Sequence, residues 1–181
     1  VSNTNDLSDA LIENNSLYIG NDPSSTTANP PFNVAVGTTA LNQVTSGYRN
    51  TALGYDALTF NSTGFQNSAS GTYALNYNSS GYNNTASGHR ALYKNTTGIE
   101  NTASGADALI NNTTGDGNAA VGNYSLWNNI SGDKNTGLGQ NAGTIIQTGS
   151  YNTIIGNSAN ASAESATNQT VIGYNATGQA D

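Results

Sequence analysis

Small apolar groups interrupt the polar stretches of this chain at a fixed interval. Alanine and leucine stand together at Ala40-Leu41, Ala57-Leu58, Ala74-Leu75, Ala91-Leu92 and Ala108-Leu109, each pair 17 residues after the last. A single alanine precedes each pair, at Ala35, Ala52, Ala69, Ala86 and Ala103. Glycine keeps the same ruler without insertion or deletion, at Gly20, Gly37, Gly54, Gly71, Gly88, Gly105, Gly122, Gly139, Gly156 and Gly173. With 21 glycines in 181 residues, chance does not produce that series. Asparagine follows it at Asn33, Asn50, Asn67, Asn84, Asn101, Asn118, Asn135 and Asn152, then Gln169. A second glycine closes the unit at Gly47, Gly64, Gly81, Gly98, Gly115, Gly132 and Gly149.

The unit reads Asn-Thr-Ala-x-Gly-x-x-Ala-Leu-x-x-Asn-x-Thr-Gly-x-x, with Ser often in place of Thr. Helix-pair repeats need about 33 residues or more, so a shorter unit excludes them. It predicts an all-β fold, a parallel β-solenoid or β-roll of about ten coils. Short strands are expected from Asn50 to Leu53 and from Ala57 to Phe60. The two glycines mark corners, where φ is positive or backbones approach closely. At about 4.8 Å per coil, the rod would be about 45–50 Å long.

The ruler also divides the chain. Residues 1–15 lie outside the repeat as a cap or linker, with Asp6 to Glu13 expected as one or two helical turns or a capping strand. Residues 16–32 form a degenerate first coil with an irregular loop around Pro23 and Pro30-Pro31. Residues 33–134 are regular. Residues 135–181 diverge, because the leucine column breaks at Gly143 and β-branched residues enter at Ile154-Ile155 and Val171-Ile172.

Composition narrows the function. Charged residues are only 8% of the chain, against roughly 25% in ordinary soluble domains. Periodic placement of the 35% apolar residues argues against disorder. The net charge of −7, with four cationic side chains, argues against a nucleic-acid partner. No cysteine is present, so no disulfide, thiol nucleophile or thiolate metal site is expected. No apolar run approaches the ~20 residues of a membrane span, so no membrane insertion is expected. The sequence starts at Val1 without a leader pattern, and is read as a processed or excised part of something longer.

Each ladder has a physical reading. The alanines mark places where only a methyl fits. The leucines, Leu58, Leu75, Leu92 and Leu109 among them, supply most of the buried area, at about 1.5–3 kcal/mol each. The asparagines are suited to hydrogen-bonded side-chain stacks. One leucine and two alanines per coil make a thin core, which argues for a core shared between chains.

Asn152-Thr153-Ile154-Ile155-Gly156 and Thr170-Val171-Ile172-Gly173 resemble the Asn-Ser-Val-Ala-Ile-Gly motif of trimeric autotransporter adhesin heads. The Asn-Thr-Ala-x-Gly-x-x-Ala-Leu units are similar to repeats in phage tail-fibre proteins, including those of marine bacteriophages. The stretch from Ala10 to Ser24 is similar to sequence that precedes such repeats. The resemblance covers residues 10–181 and implies a left-handed parallel β-roll and a homotrimer. The present unit is longer than that of the adhesin heads, which implies an enlarged corner or loop.

Candidate chemistry is sparse. The one histidine, His89, precedes Arg90 in a loop, and no nucleophile–base–acid set accompanies it. No enzymatic activity and no cofactor are expected. Asp116, with Asp133 one coil on, resembles a fragment of a calcium-binding glycine-rich repeat, but two carboxylates fall short of the six to eight oxygens calcium takes. Asn61, Asn95, Asn112 and Asn129 begin Asn-x-Ser/Thr triplets, which matter in a secreted eukaryotic protein. Tyr48, Phe65 and Tyr82 share one column, and with Tyr93 and Trp127 serve either packing or contact with sugars.

The expected function is a non-catalytic structural or adhesive fibre segment of a phage tail fibre or related extracellular appendage. It would position or contribute to attachment to a cell-surface glycan or receptor, on a virion or outside a cell. A bacterial surface adhesin head or extracellular filament subunit is the alternative. An ice-binding solenoid is the alternative of another class, although Ser68 and Ala119 interrupt its row of Thr51, Thr85 and Thr102.

Overall fold

The computed structural model describes residues 10–20 and 31–179. Asp6 to Asp9, Pro23 and Pro30 fall outside the described residues. A hairpin opens the fold: β1 (Ala10–Glu13) pairs antiparallel with β2 (Ser16–Ile19) across Asn14-Asn15. One three-residue strand per coil follows: β3 (Val34–Val36), β4 (Thr51–Leu53), β5 (Ser68–Ser70), β6 (Thr85–Ser87), β7 (Thr102–Ser104), β8 (Ala119–Val121), β9 (Thr136–Leu138), β10 (Thr153–Ile155) and β11 (Thr170–Ile172). From β2 to β11 the strands run parallel in chain order, each residue opposite its equivalent 17 positions on. The chain is therefore an all-β solenoid of about nine turns, against the ten expected. No helix occurs among the described residues.

Ala57 to Phe60 was expected as a second strand and is a turn instead. The Gly54 carbonyl accepts from the Ala57 N–H at 3.3 Å, and the Leu58 carbonyl from the Asn61 N–H at 3.2 Å. Asp56 and Leu58 have φ of 55° and 51°, which is incompatible with a pleated strand. Gln66 adds a third left-handed residue to the coil, at φ 55°. Such residues cost about 1–3 kcal/mol each and persist where the surroundings over-determine them. Here neighbouring coils do so. Asp56 N–H donates to the Thr38 carbonyl at 3.1 Å, Gln66 N–H to that of Tyr48 at 3.0 Å, and Leu58 N–H to that of Ala74 at 3.0 Å.

The glycine series have different reasons. Gly88 has φ 137°, and a Cβ there would also lie 2.6 Å from the Gly105 carbonyl oxygen. Gly81 has no positive φ; its Cβ would lie 2.4 Å from the Gly98 carbonyl oxygen and 2.3 Å from Asn78 Oδ1.

The interior holds one alanine from the strand and the Ala-Leu pair from the turn, all buried. It also holds two columns of asparagine. In the first, each backbone N–H donates to the Oδ1 of the asparagine one coil earlier at 2.9–3.0 Å. Its Nδ2 donates to the second glycine of its own coil at 2.8–2.9 Å. Ser16 Oγ accepts from Asn33 N–H at one end, and Gln169 N–H donates to Asn152 Oδ1 at the other.

The second column is Asn61, Asn78, Asn95, Asn112 and Asn129, each 0% exposed. From Asn78 onward each Nδ2 donates to the preceding Oδ1 at 2.7–2.8 Å. Every member also donates to the glycine carbonyl three residues on at 2.9–3.0 Å. Val44 and Ile146 take the same position at the two ends and are buried and apolar. The folded chain therefore offers none of Asn61, Asn95, Asn112 and Asn129 to a glycan.

The divergent coils exchange volume. Gly137 stands where alanine is usual, and its Cβ would lie 2.5 Å from Ser125 Oγ. Gly143 replaces a leucine. A Cβ on Gly143 would lie 2.6 Å from Leu126 Cδ2, 3.6 Å from Ile146 and 3.7 Å from Ile154, so Leu126 fills the space beside the glycine and the isoleucines pack around it.

Replacing Asn95 by Leu keeps the branched shape but leaves an Nδ2 proton of Asn112 and Oδ1 of Asn78 without partners, and removes one of the two donors to the Gly98 carbonyl, which keeps Asn84 Nδ2. Unfolding in urea should show a loss of about 2–5 kcal/mol. The exposed Ser87→Ala, at an ordinary strand φ, should stay within about 0.5 kcal/mol.

Candidate functional site: the outer columns of the coil

Columns that carry aromatic or charged groups lie outside this framework. Tyr48, Phe65 and Tyr82 come together as expected of one column. Their rings stack face to face, with centroids 5.1 and 4.6 Å apart and planes within 5°. Each is half-buried. The ring faces are spent on one another, which favours the packing reading. Arg49 extends the stack, its guanidinium 5.7 Å from the Tyr48 ring centroid and 5.9 Å from that of Phe32.

The same column continues through Ile99 to Asp116 and Asp133. Asp116 Oδ1 accepts from Ile99 N–H, and Asp133 Oδ1 from Asp116 N–H, both at 2.8 Å. Ser150 Oγ accepts from Asp133 N–H at 2.9 Å. Each carboxylate thus satisfies an amide of the coil before it. No cluster of three or more metal-ligating side chains occurs among the described residues.

His89 is exposed, with Nδ1 4.0 Å from the carboxylate of Asp107. Asp107 is 3% exposed and is held by Arg90 through two parallel bonds, Nε to Oδ1 at 2.8 Å and an Nη to Oδ2 at 2.9 Å. The bond to Asp107 raises the Arg90 pKa above its ordinary value. This bidentate pair pins one coil to the next, and His89 sits beside it.

A second aromatic group lies on the turn wall. Phe60 and Tyr77 stack at 5.0 Å with planes 12° apart, and Tyr93 meets Tyr77 edge-on at 5.1 Å. Tyr55 and Tyr73 extend the cluster toward His89. Burial, followed by the Tyr77 hydroxyl beside it, raises the Tyr93 phenol above its usual pKa. Tyr93 was singled out in the sequence, but Phe60 and Tyr77 were not. Their column runs Phe60, Tyr77, Lys94, Asn111, Asn128, so its aromatic character ends after two coils. The 17-residue ruler places them together only when a mixed column is read as one surface.

The strand presents a third outer wall. Only its middle residue points inward in most coils. One outward rank holds Leu53, Val121, Leu138 and Ile172, which are 43–67% exposed. In the middle coils both ranks carry hydroxyls, as Ser68 with Ser70, Thr85 with Ser87 and Thr102 with Ser104.

No protein-family model, curated protein or solved structure matches this chain.

Arg90→Ala would leave the Asp107 carboxylate without its bidentate partner. Because Arg90 is itself partly exposed, the expected loss is about 1–3 kcal/mol rather than that of a fully buried pair. His89→Ala should change stability by less than about 0.5 kcal/mol. Equal losses for the two variants in a denaturation series would mean that His89 shares in holding the carboxylate.

Proposed function

We propose that this chain is a non-catalytic structural and adhesive rod, a segment of a phage tail fibre or related extracellular appendage. One observation carries the reading. The residues that repeat along the regular coils, Asn, Ala, Leu and the two glycines, are spent on joining a coil to its neighbours, as the buried asparagine columns illustrate. Such a body resists bending and holds what lies at its ends apart. The outer columns change identity along the rod and are free to diversify toward a surface glycan or receptor.

A left-handed homotrimer is part of the proposal, resting on the resemblance to adhesin heads. The alanine and leucine columns are already buried within one chain. Association would therefore use the outward rank of Leu53, Val121, Leu138 and Ile172 rather than complete a shared interior. A bacterial adhesin head or extracellular filament subunit would have the same architecture, and a membrane anchor encoded beside the rod would favour it. The paired hydroxyls of β5, β6 and β7 speak for the ice-binding alternative, while Leu53, Val121 and Leu138 interrupt the array. Clear thermal hysteresis would establish that alternative.

Sedimentation equilibrium should give three times the single-chain mass, and Leu138→Glu with Ile172→Glu should reduce it to that of one chain. A wild-type chain that sediments as a monomer overturns the trimer.

A further inference from the structure

A groove runs along the turn wall between two outer columns. One wall is Tyr77, Lys94, Asn111 and Asn128, and the other is Thr96, Thr113, Ile130 and Gln147. Residue by residue, the column of buried asparagines lies between them in sequence, as Asn95 lies between Lys94 and Thr96. The groove has two connected parts. An aromatic part of about 390 Å³ is lined by Tyr77, Tyr93, Lys94, Thr96 and Thr113. A polar part of about 260 Å³ shares Lys94 and Thr113 and adds Asn111, Asn128, Ile130 and Gln147.

The chemistry of the lining is selective. Tyr77 is 44% exposed, and its column gives way to Lys94 on the side away from Phe60, so no third aromatic ring continues that stack. Thr96 and Thr113 donate their hydroxyl protons to the Thr113 and Ile130 carbonyls at 2.9 and 3.0 Å, which leaves oxygen lone pairs as acceptors. Lys94 Nζ donates to Asn111 Oδ1 at 2.9 Å and keeps two further protons. Among the described residues no carboxylate lines either part.

We propose that this groove binds an oligosaccharide carrying an acidic sugar. One pyranose packs on the Tyr77–Tyr93 surface with its carboxylate on Lys94, and the following sugars run along Asn111, Asn128 and Gln147. An aromatic surface takes the C–H face of a sugar, and hydroxyl, amide and ammonium groups take its rim. The coil spacing of about 4.8 Å is close to the rise per sugar of an extended hexose chain, so successive coils meet successive sugars. The proposal rests on the adhesive part of the rod reading and adds its ligand class and place.

The test is retention of the full chain on a printed array of neutral, uronate-, sialate- and sulfate-bearing oligosaccharides. Sedimentation is run on the same samples. Retention should be confined to carboxylate-bearing chains. Tyr77→Ala with Tyr93→Ala should lower it at least tenfold. Lys94→Gln, a mild change at an exposed position, should remove the preference for acidic over neutral sugars. Thr102→Ala, on the strand wall, should leave retention unchanged. The groove assignment fails if the wild type retains no glycan, if Thr102→Ala loses as much as the tyrosine pair, or if Lys94→Gln keeps the acidic preference. A trimer that retains nothing would sink the groove and leave the rod standing. A monomer that retains acidic glycans through Lys94 would overturn the trimer and leave the groove standing.

Discussion

Burying an amide without partners costs about 2–7 kcal/mol, and this chain buries two ladder asparagines in each coil from Asn50 to Asn129. The cost is met only because the next coil repeats the residue in register. One proton of Asn95 needs the oxygen of Asn78, and the oxygen of Asn95 needs a proton of Asn112. The remaining proton closes the coil on the Gly98 carbonyl, and the glycine must lack a side chain for that contact. Period, glycine position and thin cross-section follow from this arrangement. A one-residue insertion would misplace every bond in the coil that contains it.

Backbone strain is handled in the same way. Leu58 is bulky and holds φ of 51°, and the equivalent leucines have values close to it. In that conformation the side chain is buried, and the N–H is bonded to the following coil. Stability therefore resides between coils more than within them, as in other one-dimensional repeat folds. The ends matter correspondingly. The antiparallel strand β1 covers the edge of β2, and a row of unpaired strand groups there would otherwise invite pairing with another chain.

Much of the fold was legible because it depends on period. The register of all ten parallel strands follows from the glycine ruler, as does the burial of Ala52, Leu58 and Asn50. The turn at Ala57 to Phe60 was not legible. Ala-Leu-Thr-Phe carries ordinary strand residues, and the left-handed conformation of Leu58 comes from coil-to-coil bonds that no local preference reports. The second asparagine column was written into the unit yet read as glycosylation triplets, since the same three residues describe an exposed acceptor and a buried ladder. Among outer columns, Tyr48, Phe65 and Tyr82 were visible as a uniform series. The groove was hidden because Tyr77, Lys94 and Asn111 share a column without sharing chemistry.

The second asparagine column ends on Val44 and Ile146, and the first on Ser16 and Gln169. Everything between those ends is interchangeable at the level of the coil. Removing or duplicating a whole unit there leaves each amide with a partner and each glycine under another glycine. Recombination between near-identical units can thus shorten or extend the molecule in steps of about 4.8 Å without redesigning either terminus. Reach becomes a countable trait, adjustable by unequal crossing-over, while point substitution works separately on the outer columns.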